Sequence, residues 1–208
     1  MKAALVRLIP ERRLLVWLAI AVAVAFAFCI GGAAGLGFDA VAIENGPQEN
    51  FEIAFLIGAA VFFLACALPA DQAGAPVMVF LALVFGLMGL REFETPDSNA
   101  FLIYLASHAA RIHWAILCAA VLAWVAWRDR RFSLRQHLSA SGPVWVPLIS
   151  AAVIVVLGSL AEEAATNAVS PHTHDIMEWL EETLEVCGYV VALTTSVWMA
   201  RIRFTPQA

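Results

Sequence analysis

Six apolar runs, parted by short polar segments, follow one another through this 208-residue chain. They restrict its fold more than any other feature. A helix needs about 20 apolar residues to cross a hydrocarbon core, with a working range of roughly 17–25. The runs fall at about 14–35, 51–68, 73–90, 108–127, 144–161 and 181–200. The chain is 62% hydrophobic and 14% charged, whereas ordinary soluble domains are roughly half apolar and a quarter charged. In water such a surplus would form aggregating patches; a bilayer acts as its apolar solvent. The expected fold is all-α: one polytopic membrane domain over 1–208, a bundle of six transmembrane helices.

Local signals set the ends of the runs. The first follows Lys2, Arg7, Arg12 and Arg13, as a signal peptide would. It exceeds the roughly 7–15 apolar residues of a cleavable signal, so it reads as a retained helix. Pro69 stops the second run, Pro76 is tolerated in the first turn of the third, and Asp97-Ser98 offers caps ahead of Phe101. Ser170-Pro171 gives a cap-plus-proline start before the sixth.

Charge between the runs is sorted by side. The N-terminus, the second–third turn, the fourth–fifth loop and the C-terminus hold ten of the twelve basic residues and three acids, a net of +7. The other segments hold Arg91 and Arg111 against fourteen acids, a net of −12, and the two faces combine to the chain's −5. Lys and Arg are retained on the cytoplasmic side of membranes. Both termini are therefore expected in the cytoplasm, with the chain in a bacterial inner membrane. Trp124, Trp127, Trp145 and Trp198 lie near the cytoplasmic ends of their runs, where an aromatic belt belongs. Small residues at Gly31 and Gly35, and at Gly188, Ala192 and Ser196, predict close helix packing.

Several chemistries are excluded by residue type. Lys2 is the only lysine, so no mid-membrane Schiff base to retinal can form, and neither a nucleotide-binding P-loop nor a pyridoxal-phosphate site has its lysine. Cys29, Cys66, Cys118 and Cys187 sit singly in four runs and read as small hydrophobes rather than a disulfide framework. No Gly-x-Ser-x-Gly or His-Glu-x-x-His occurs, nor the paired Glu-x-x-His of di-iron bundles.

The acidic side carries what polar chemistry there is. Glu49 and Glu52 open the second run, Glu92 closes the third, Glu162 and Glu163 close the fifth, and Glu182 and Glu185 begin the sixth. Ionisable groups at that depth face the bundle interior and need partners. The expected result is a buried cluster in which Arg111, with His108 beside it, meets several of Glu49, Glu92, Glu163, Glu182 and Glu185. The plainer reading is that acids fill these segments because basic residues are retained on the other side. His174, Glu178, Glu181 and Glu185, at offsets 0, 4, 7 and 11, line one helix face with Glu182 beside them and His172 just before. Histidine and carboxylates are divalent-metal ligands, so these six residues are candidate ligands. The histidines lie too near the rim for haem.

Glu44-Asn-Gly-Pro-Gln-Glu49, Leu90-Arg-Glu92 and Glu181-Glu-Thr-Leu-Glu185 together resemble a group of small bacterial multispan membrane proteins. These carry an acidic Glu-(Asp/Asn)-Gly-Pro-x-Glu turn and a later Glu-Glu-x-Leu-Glu. The resemblance implies that the outer carboxylates belong together and brings no activity with it. The first functional expectation is a non-catalytic accessory or structural subunit of a membrane complex. Its partners would be the lipid bilayer and other membrane subunits, and not nucleic acid. The alternatives are a divalent-cation-binding or transport protein with an acidic His/Glu vestibule, and an intramembrane enzyme using Glu/His acid–base chemistry.

Overall fold

The computed structural model describes residues 11–37, 47–68, 73–91, 103–104, 107–128, 130, 133–167 and 170–204. Among these the chain is all-helical. The helices are α1 (Arg12–Leu36), α2 (Pro47–Ala67), α3 (Ala75–Arg91), α4 (His108–Arg128), α5 (Leu134–Ala140), α6 (Gly142–Thr166) and α7 (Pro171–Phe204). Four of them, α1, α2, α6 and α7, are long and apolar enough to cross a membrane; Ala75–Leu90 and His108–Trp124 are shorter apolar helices. The Asp97-Ser98 start and the Glu44 turn lie outside the described residues, as does Glu92.

One helix starts well before its apolar run, and another answers to no run at all. The helix of the sixth run begins at Pro171, ten residues before Glu181. The Ser170 hydroxyl accepts from the Thr173 amide at 3.2 Å, and proline's preset φ suits the first turn. Hydropathy marks only the lipid-soluble part of a helix, whereas capping decides where it nucleates. Short α5 was not marked by any apolar run. Ser133 and Gln136 close a capping box at its start, the Ser133 side chain accepting from the Gln136 amide while Gln136 reaches back to the Ser133 N–H.

Contact register gives the helix directions. Gln48 meets Thr183, Gly58 meets Leu193, and Arg203 meets Cys66, so the offset between α2 and α7 stays nearly constant and the two run parallel. Between α6 and α7 the pairs run the other way: Gly158 with Glu181 and Glu185, Gly188 with Ala151 and Val155. α1 is likewise antiparallel to α7, with Trp179 donating to the Cys29 carbonyl near one end and Leu14 clustering with Trp198 near the other. α3 opposes α2, since Gly89 meets Leu56 and Phe85 stacks on Phe63.

These directions place the start of α1, the end of α2, the starts of α3 and α6 and the end of α7 together, and their opposite ends together. A clamp joins the first set. Arg203 donates from Nη1 to the Cys66 carbonyl (2.7 Å) and from Nη2 to the Ala73 carbonyl (2.8 Å). It thereby satisfies an acceptor at the end of α2 that no helical turn can reach, and a second one just ahead of α3. Gly74 has φ +99° and donates its N–H to Nδ1 of buried His137 at 2.9 Å. A side chain at Gly74 would meet the Arg203 Nη2 at 2.6 Å.

α7 is the central pillar, with 72% of its most apolar 18-residue stretch buried, against 17% for that of α1. The main core brings Leu56, Phe63 and Cys66 of α2 against Met78 and Phe85 of α3 and Tyr189 and Met199 of α7. α1 adds a separate seam, Leu14, Leu18, Ala25, Cys29 and Ala33, laid against α7.

Candidate functional site

At the acidic end, α7 carries a stripe that passes from solvent into the bundle. His174 Nδ1 lies 3.3 Å from the Glu178 carboxylate, and both side chains are 45% exposed. Asp175 joins them, with one ligand atom from each of the three lying within 4.8 Å of the others. One turn on, Glu181 is within electrostatic range of Glu162, Glu178, Glu182 and Glu185. Glu185 is only 6% exposed and accepts from the Tyr189 hydroxyl at 3.3 Å. His172 is exposed and is not one of the three.

A second polar layer lies between α2 and α7. Gln48 and Glu52 are both 1% exposed, Thr183 is fully buried, and the Gln48 Nε2 donates to the Thr183 hydroxyl at 3.3 Å. Cys29 of α1 sits against Gln48 and Thr183. Charged side chains are almost never fully buried unless paired, so Glu52 and Glu185 mark the part of the molecule where carboxyl groups enter the low-dielectric interior.

The expected cluster is gathered only in part. Glu185 is buried and Glu49 half-buried, whereas Glu163 and His108 are exposed. The reason on α6 is helical period: Gly158, Ala161 and Ala165 form its buried face, and Glu163 points elsewhere. The Arg111 side chain and Glu92 lie outside the described residues. Gln48, Glu52, Thr183, Tyr189 and Asp175 were not among the expected site residues. For the first two a signal existed: Gln48, Glu52, Leu56, Ala59, Phe63 and Cys66 recur at spacings of four and three, one continuous buried stripe.

The small residues divide sharply. A Cβ on Gly188 would stand 2.6 Å from Val155 Cγ2 and 3.1 Å from the Ala151 carbonyl, with Ala192 buried on the next turn. A Cβ on Gly31 or Gly35 would meet nothing within 4 Å. Ala23, Ala27, Gly31 and Gly35 are all exposed and spaced by four. They lie two residues out of phase with Ala25, Cys29 and Ala33, hence about 160° around the helix from the seam on α7.

Among the described residues, the cavities between helices include three that are apolar. Two, each about 440 Å³, flank α1. One is lined by Leu15, Val22 and Phe26 with Val146 and Pro147 of α6; the other is lined by Trp17 and Phe28 with Phe51 and Phe55 of α2 and Val190 of α7. The third, about 400 Å³, opens between α3, α6 and α7 around Phe85, Trp145 and Tyr189. No carboxylate lines any of the three. Comparisons with protein-family models, curated proteins and solved structures find no match to this chain.

Proposed function

We propose that this chain is a six-span membrane protein, both ends cytoplasmic, that serves as a non-catalytic subunit and presents α1 to a membrane partner. The outward stripe of Ala23, Ala27, Gly31 and Gly35 carries the proposal. Helices in lipid gain little from hydrophobic burial against each other; they associate where small residues let backbones approach. α1 spends one face on α7 and keeps a second, small-residue face turned outward, with apolar crevices on both flanks. Alternation of the spans is supported by the clustering of the ends of α1, α2, α3, α6 and α7, which puts Arg12, Arg13, Arg201 and Arg203 at one end and Glu49, Glu178, Glu181 and Glu185 at the other.

The test is purification from native membranes in mild detergent, with mass spectrometry of what co-elutes. Gly31→Leu with Gly35→Leu should abolish a stoichiometric partner while leaving the isolated chain folded. Retention of the partner by that double variant sinks the reading.

A second reading is favoured by the His174–Asp175–Glu178 triad. Its imidazole and carboxylates suit a divalent cation at the acidic rim, and a −12 face concentrates such ions. Elemental analysis of the native protein, with and without His174→Ala, decides it.

A further inference from the structure

We infer that the arginine–tryptophan rim at the end of α4 is a binding site for the phosphate headgroups of acidic phospholipids. Arg128 lies over the Trp124 indole at 5.4 Å and Arg130 over the Trp127 indole at 5.4 Å. The indoles are 55% and 60% exposed, so both pairs stand on the outer surface. From 128 to 135 the sequence holds Arg128, Arg130, Arg131 and Arg135 against Asp129 alone. The Ser133 capping box sets the chain back into helix, with exposed Arg135 in its first turn. Arg201 over Trp198, at 5.7 Å, repeats the pairing at the end of α7.

The chemistry fits one occupant. An indole at the end of a span sits at headgroup depth, its ring in the apolar boundary. A guanidinium stacked on that ring is held in orientation, and its in-plane N–H edges match phosphate oxygens in a way an ammonium cannot. Arginines clustered just beyond a membrane helix read as an acidic-lipid site. A zwitterionic headgroup would carry its own cation into a net-positive rim. A soluble anion would gain nothing from the exposed indoles. The inference rests on α4 spanning the membrane and is independent of what α1 docks against.

The experiment is a thermal-shift titration of the full chain in neutral detergent. The probes are phosphatidylglycerol, phosphatidylcholine and inorganic phosphate. Phosphatidylglycerol should raise the midpoint, and the shift should shrink in high salt; the other two should leave it in place. Arg130→Gln with Arg135→Gln should weaken the apparent affinity about 25-fold, at about fivefold per removed charge near a membrane surface. Trp127→Leu, which keeps every charge, should weaken it by a smaller factor. Arg12→Gln with Arg13→Gln removes the same charge from the same end of the bundle and should change affinity less than half as much on a logarithmic scale. A response to phosphatidylcholine or inorganic phosphate equal to that for phosphatidylglycerol overturns the site. So does an equal loss in the two double variants, which would mean a diffuse field and not a local pocket.

Discussion

Glycine marks different constraints at different positions here. At Gly188 the constraint is space: the backbone of α6 and the Val155 methyl occupy the place a β-carbon would take. Gly188→Ala should lower stability by about 1–3 kcal/mol through overpacking, read as a drop in the detergent melting midpoint. At Gly31 the space is open, so Gly31→Ala should leave that midpoint unchanged or raise it, since alanine is the better helix former. A matching loss at both sites would show that the outward face of α1 is packed after all. At Gly74 the constraint is conformation, because φ +99° is disfavoured for any residue with a β-carbon, and Arg203 fills the nearby space. Gly74→Ala should cost about 1–3 kcal/mol. Arg203→Gln should give a comparable loss by releasing the Cys66 and Ala73 carbonyls from their donor.

At the scale of elements, α7 joins the molecule and α1 is attached to it from one side. Trp179 donates to the Cys29 carbonyl and Leu14 packs with Trp198, so the seam is pinned near both ends and apolar between. Trp179→Phe removes the hydrogen bond while keeping the ring. Easier release of α1 in that variant should appear as faster hydrogen exchange confined to residues 25–36. Exchange unchanged there would mean the seam is held by packing alone. The triad is also an element-level feature, since all three of its candidate ligands come from two turns of one helix. His174→Ala or Glu178→Gln should each cut divalent-cation affinity at least tenfold, measured by calorimetry, with no change in the melting midpoint of metal-free protein.

For the whole molecule, the partition of charge is the property that organises everything else. Single cysteines placed at Arg135 and at His172 should label from opposite sides of sealed vesicles with a membrane-impermeant reagent. Cys29, Cys66 and Cys187 are buried in the bundle and the half-buried Cys118 is replaced by serine, which keeps the background low. Labelling of both sites from one side would dissolve the six-span arrangement and the rim assignment with it.

The apolar runs and the sorting of arginine from carboxylate are legible in the residues alone, because both are linear quantities. Run length is measured along the chain, and charge is summed segment by segment. The helix start at Ser170 is legible too, since a cap is a local hydrogen bond. Which helix face meets which neighbour is not local. The sequence offers small residues at Gly31, Gly35, Gly188 and Ala192 on equal terms, yet only the last two are enclosed. It offers Glu163 and Glu185 at similar depths, yet only Glu185 is buried. Packing decides these cases, because every span here is apolar around most of its circumference and so carries little directional signal of its own. A face is chosen only when α2, α6 and α1 close around α7, and with that choice the position of each carboxylate is set.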